Sequence, residues 1–256
     1  MLSRSDAITV LNDRDRQAII DLNIDPVMIH TAPVTSHMPV HPLDAETKKR
    51  CRKAFDIPGN ALCLAYFGFI HLGRHIDRII EELSFLHEQG TPVFAIFLGA
   101  PAPGAENYYE SCQILCEKRA LTDQVCWTGY ATAEQIADGL AATDIFVSLP
   151  DRGADMRNTS IHTAMLAQLP VVTLQNEGYY IEKQIVEMGC YTVDSPDAHR
   201  LCEKILEAYQ NPPSGQFRQQ LATWLDPERI WQQHIETNLR TYEGKPPESL
   251  AAFNAG

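Results

Sequence analysis

Asp144-Ile-Phe-Val-Ser-Leu-Pro150, then Asp151-Arg-Gly-Ala-Asp-Met-Arg157, then a segment opening at Asn158-Thr-Ser160, then Pro170-Val-Val-Thr-Leu174: this stretch decides the fold. It reads as a strand, a polar loop, a helix and a second buried strand. A loop that leaves a parallel strand and feeds a helix N-terminus aims unpaired N–H groups and the positive end of the helix dipole at whatever sits above it. Anions such as phosphates bind there.

Outward from this stretch the same alternation recurs. Apolar runs at 62–67, 93–98, 124–128, 144–149 and 170–174, and a weaker one at 190–193, read as short strands. Between them lie amphipathic segments. Asp77 to Glu88 carries Ile79, Ile80, Leu83 and Leu86 at helical spacing, and Ala105–Arg119, Ala133–Ala142, Ser160–Gln168, Tyr180–Met188 and Asp197–Tyr209 read the same way. Continuously apolar strands alternating with helices imply a parallel sheet covered on both faces, wound right-handedly. The expectation is an α/β fold with a single Rossmann-like, doubly wound parallel sheet. Before it, Ala7–Leu11 reads as a buried strand, followed by a short helix to about Leu22, a strand at Val27–Thr31, an extended linker with Pro33, Pro39 and Pro42, and a helix from Ala45 to Phe55. After it, Pro212-Pro213-Ser-Gly215 breaks the chain. A last helix, Asp226 to Tyr242, presents Trp231 and Leu239 as packing residues, and a Pro-rich tail begins at Gly244.

Composition narrows the function. With 256 residues, 45% hydrophobic, the chain buries roughly 70–75% of its unfolded surface and needs no covalent staple. A formal charge of -12 argues against nucleic acid or an anionic membrane as the main partner. Seven cysteines without a CxxC pair suit reduced thiols in the cytoplasm, and Cys112 and Cys116, one helical turn apart, lack the partners of a metal site. No run approaches the ~20 apolar residues that cross a bilayer as a helix. No metal and no cofactor is expected.

Four constellations carry possible chemistry. In Phe67-Gly-Phe-Ile-His-Leu-Gly-Arg74-His-Ile-Asp77, Gly68 and Gly73 allow close backbone approach, and Arg74 places a permanent cation before a helix. The same residues also suit a plain turn with a solvated arginine, and the spacing is not GxGxxG. Arg152 and Arg157 flank the polar loop ahead of Asn158, Thr159 and Ser160, which serve equally as helix caps or as an anion site. Tyr130, at the end of Thr128-Gly-Tyr130, either stacks on a base or seals the core edge. His71 and His162 are candidates for proton transfer, His162 being also compatible with a packed helix position. No catalytic residue is identified, since neither a nucleophile elbow nor a placed carboxylate pair is present.

These residues together resemble the C-terminal, donor-binding domain of GT-B glycosyltransferases of the "group 1" retaining family, from about Ala61 to Tyr209. Phe67-Gly-Phe through Gly-Arg-His-Ile-Asp77 resembles the family's Gly-Arg followed by a Lys-Gly-hydrophobic-Asp stretch, with Arg74 in place of the Lys and His75 in place of the Gly. Val93–Gly99, Val125–Tyr130 and Thr143–Pro150 match successive strands, and Thr163-Ala-Met-Leu-Ala-Gln-Leu-Pro-Val-Val172 matches the stretch that ends in Pro-Val-Val. Glu182 falls on a family Glu, and the helix with Trp231 resembles the one that crosses back to the other domain. The resemblance implies a sugar-nucleotide donor such as a UDP- or GDP-sugar and transfer with retained configuration. With the constellations above, the expected donor contacts are Gly68, His71, Arg74, Tyr130, Asp155, Arg157, Thr159, Ser160 and Thr163. Two family glutamates eight positions apart fall on Asp155 and Thr163, so one acid is shortened and one lost.

Residues 1–43 resemble only the end of the first domain and the hinge, 44–225 the donor domain, and 226–256 a terminal helix and tail. A separate N-terminal half or a homo-oligomer is the expected partner. A non-catalytic binding module, half of a split enzyme, or a GT-B-like epimerase are the rival expectations.

Overall fold

The computed structural model describes residues 7–11, 13–31, 34–155, 157–175, 189–194 and 198–242. The helix expected over Tyr180–Met188, with Glu182, and the tail from Gly244 lie outside them. At the start, β1 (Ile8–Val10) and β2 (Ile29–Thr31) form a small parallel pair, Ile8 opposite Ile29, joined through α1 (Asp13–Ile20). β1 is less buried than its apolar run suggests: only Val10 is enclosed. Residues 34–44 follow without helix or strand and lead into α2 (Ala45–Ala54), capped by Asp44, whose carboxylate accepts from the Thr47 amide.

The apolar runs of the regular half then form one six-stranded parallel sheet. Its strands are β3 (Leu62–Phe67), β4 (Val93–Leu98), β5 (Val125–Trp127), β6 (Ile145–Ser148), β7 (Val171–Leu174) and β8 (Tyr191–Val193). Their order is β5-β4-β3-β6-β7-β8. Alternate residues feed opposite cores, as the two-residue period of a strand requires. Leu62, Leu64 and Tyr66 join Val93, Ala95 and Phe97 on one side; Cys63 and Ala65 join Phe94, Ile96 and Leu98 on the other. The first core is roofed by α3 (Ile76–Glu88), α4 (Glu106–Lys118) and α7 (Ala198–Gln210). The second is roofed by α2, α5 (Ala133–Ala142), α6 (Thr159–Leu166) and α8 (Gly215–Trp224). In α3 the expected Ile79, Ile80, Leu83 and Leu86 are buried, with Ile76, Glu82 and Ser84 added.

Two further features differ from the sequence reading. α8 begins directly after Pro212-Pro213, because Ser214 caps it by accepting from the Phe217 amide at 3.1 Å. Helix α9 (Pro227–Tyr242) does form, but Trp231 and Leu239 are 54% and 56% exposed; Ile230 is buried, and Trp231 stacks on His37 of the 34–44 segment.

Asp144, at the N-terminal edge of β6, holds this end of the sheet together. Its carboxylate accepts from the Cys63 amide at 2.8 Å and pairs with Lys48 at 2.5 Å and Arg52 at 3.2 Å, both on α2. Arg52 also donates to the carbonyls of Pro58 and Ala61. No described helix is long and apolar enough to cross a membrane.

Candidate functional site

The strand order reverses between β3 and β6: β3 leads outward to β4 and β5, and β6 outward to β7 and β8. The chains leaving these two strands diverge to opposite faces of the sheet and leave a crevice beyond their C-terminal ends. The loops that line it are 68–75 and 149–158, the two richest in candidate residues.

The first loop is built for close approach. Gly68 has φ +137°, and a Cβ on Gly99 would stand 1.9 Å from the Gly68 carbonyl oxygen, so β3 and β4 end in backbone-on-backbone contact. Ile70 prolongs the ladder by donating to the Ala100 carbonyl. A single 3-10 turn, Leu72–Arg74, follows. His75 then takes the left-handed conformation, φ 51°, immediately before α3. A β-carbon is crowded there and glycine is not, which accounts physically for glycine at the matching family position.

The second loop is tied to the first. The Asp151 amide donates to the Gly73 carbonyl at 3.1 Å, and a Cβ on Gly73 would lie 3.0 Å from the Asp151 carboxylate and 3.3 Å from the His71 ring. His71, Gly73 and Asp151 therefore meet at one point. The His71 pKa is lowered, first by burial and then by the Arg74 cation, with Asp151 acting the other way. Arg74 also acts on the buried Tyr66 phenol, whose hydroxyl donates to the Phe69 carbonyl. Arg74 makes no ion pair among the described residues, and its Nε is buried without a hydrogen-bond partner.

Arg157 is placed differently. Its backbone amide and its Nε each donate to the Asp155 carboxylate at 2.8 Å, a second guanidinium nitrogen does the same, and Asp15 lies 3.9 Å away. Asn158 does not cap α6 with its side chain. Its Oδ1 accepts from the Asp155 amide at 2.7 Å, so simple capping does not explain it. The loop is folded on itself through Asp155, with Thr159 and half-buried Ser160 opening α6 beside it.

Thr163 is not in the crevice wall. It is fully buried, its hydroxyl 2.7 Å from the Ser36 hydroxyl and 2.8 Å from the Thr159 carbonyl. The neighbouring His162 is fully buried as well; neither ring nitrogen has a well-formed hydrogen bond, and burial pushes its pKa down to about 4. A proton-transfer role is incompatible with that enclosure, whereas His71 stays half-exposed. Tyr130 is 78% exposed and meets Phe69 edge-on at 6.5 Å, so it does not seal the core. The exposed pair forms an aromatic rim at the ends of β3 and β5. Phe69, Gly99 and Asp151 are the site residues that sequence reasoning passed over. Their roles come from contacts across 31 or more positions, for which a single sequence holds no signal.

Read outward from the switch point, the sheet has the 3-2-1-4-5-6 strand order of the Rossmann fold. Residues 47–223, well over half of the chain, match the family described as glycosyl transferases group 1, and the chain belongs to that family. Solved structures agree in fold. The chain is similar to Anabaena HepE in complex with UDP and glucose (TM-score 0.71, 15% identity), covering 91% of this chain and 62% of that one. It is similar to a glycosyltransferase from Rickettsia africae (TM-score 0.74, 14% identity, 92% and 63%) and to sucrose-phosphate synthase from Thermosynechococcus elongatus (TM-score 0.71, 15% identity, 94% and 60%). The chain thus spans about three-fifths of the length of these GT-B structures. No curated protein sequence matches it.

Proposed function

We propose that this chain is the donor-binding half of a retaining glycosyltransferase that uses a nucleoside diphosphate sugar, with a UDP-sugar as the first candidate. The observation that supports it is Arg74 in the loop after β3, acting on His71, with no ion pair among the described residues and with its buried Nε lacking a hydrogen-bond partner. The diphosphate would lie between Arg74 and the Thr159-Ser160 helix end, which would stabilise charge developing on the leaving group. Tyr130 and Phe69 would flank the base. In this reading residues 1–43 are the hinge side of a first domain, 44–225 the donor unit, and 226–256 the returning helix and tail. A cytoplasmic setting suits seven unpaired cysteines.

A second reading, a non-catalytic nucleotide-sugar module or one half of a split enzyme, draws on a different observation. Thr163 is sealed against Ser36 and Asp155 is committed to Arg157, so both positions matching family glutamates face protein. Titration calorimetry of the chain with UDP, GDP, ADP and their sugar conjugates separates the two. Micromolar binding of one nucleotide, weakened about tenfold or more by Arg74→Ala, supports the donor site. Unchanged affinity in that variant removes Arg74 from it. Binding without turnover favours the module, and binding of none removes the donor reading.

A further inference from the structure

On the α2–α5 face of the sheet, three potential metal ligands from three segments converge. His41 comes from the 34–44 segment, Cys51 from α2 and Asp138 from α5, and their ligand atoms all lie within 4.8 Å of one another. His41 Nε2 is 2.8 Å from Asp138 Oδ1, and the Cys51 thiol donates to the same oxygen at 3.4 Å. Around a tetrahedral zinc, with ligands at about 2.0–2.3 Å, neighbouring donor atoms stand roughly 3–4 Å apart. Small side-chain shifts separate this hydrogen-bonded set to those spacings.

A fourth donor is at hand. Glu134 precedes Asp138 by one turn of α5, and its carboxylate lies 3.8 Å from His41 Nε2, on the exposed side of the cluster. Arg50 competes for these ligands, 3.8 Å from Asp138 and 3.9 Å from the Cys51 sulfur. Its side chain is 66% exposed and free to swing outward when a divalent ion enters. Cys51 itself is 1% exposed, whereas the Asp138 and Glu134 side chains are 30% and 72% exposed, so the site is closed at the thiol and reached from the carboxylate side. A mixed thiolate, imidazole and carboxylate set favours a borderline-soft ion over magnesium or calcium.

We propose that His41, Cys51 and Asp138, with Glu134 or a water as fourth ligand, form a site for a single Zn2+ ion. Binding releases the Cys51 proton and joins the 34–44 segment to α2 and α5, so the ion is structural and does not depend on how the crevice is used.

The test uses the full chain, freed of metal with a chelator and titrated with Co2+ and then Zn2+. One equivalent of Co2+ is expected to give the visible bands of a tetrahedral ion and a near-ultraviolet thiolate charge-transfer band. Zn2+ is expected to displace both and to raise Tm. Cys51→Ser should lose the thiolate band, and His41→Asn should weaken Zn2+ binding at least ~tenfold with an unchanged circular dichroism spectrum. No thiolate band in the parent protein overturns the site. So does a band undiminished in His41→Asn, which would assign the ion to other thiols; that variant decides alone should Cys51→Ser fail to fold.

Discussion

The Thr163 hydroxyl lies 2.7 Å from the Ser36 hydroxyl, across 127 positions of chain, and both side chains are buried. Thr163 matches a family glutamate, but the 34–44 segment covers it here. Thr163→Val, which keeps the shape and removes the hydroxyl, is expected to cost about 1 kcal/mol in chemical denaturation, as is Ser36→Ala. The double variant should cost less than the sum, because one shared hydrogen bond is lost once. Nucleotide affinity should not change. A loss of affinity in Thr163→Val would place that side chain back in the donor site.

Asp155 restrains Arg157. Asp155→Asn removes the charge that holds the guanidinium and releases it from this ion pair. On the donor-site reading, affinity for a nucleoside diphosphate should rise about fivefold, equivalent to ~1 kcal/mol. Arg157→Ala should weaken binding less than Arg74→Ala. Calorimetry that ranks the two arginines the other way would make Arg157 the main phosphate ligand.

His162 predicts an acid-sensitive fold. Its pKa falls from 6.5 to about 4 on folding, so between these values the unfolded chain binds a proton that the folded chain refuses. Stability attributable to this residue is complete above pH 6.5, declines as pH falls toward 4 and is flat below. The total is about 3 kcal/mol. Urea midpoints measured from pH 7 to pH 4 should show that decline, and His162→Leu should flatten it. An identical slope in the variant would trace the acid sensitivity elsewhere.

Asp144→Ala should be the most damaging single change outside the apolar core. It strands Lys48 and Arg52 beside the sheet and leaves the Cys63 amide without its acceptor. A loss of about 3 kcal/mol or more is expected, read as a drop in Tm. The crevice, at the opposite strand ends, should keep its ligand affinity at temperatures where the variant is folded.

The lone chain of letters determined a good deal of this protein. Strand-length apolar runs alternating with helical periodicity are local patterns, and they give the sheet, its parallel sense and the loops at its C-terminal edge. Gly68, Arg74 and the 151–160 segment were legible for the same reason: short motifs next to a strand end keep their meaning wherever the strand lies in the sheet. Helix α8 was less so, because its start depends on one Ser214 cap after a proline pair.

Tertiary structure decided what the side chains do. Among the described residues it left Arg74 without an ion pair, and it gave Arg157 to Asp155. It enclosed His162 and Thr163, turned Trp231 outward onto His37, and brought His41 and Cys51 to Asp138 across 97 and 87 positions. Burial and pairing are properties of space. Charges far apart in sequence settle on each other only once the sheet and helices have fixed the distances, and a single sequence does not record those distances.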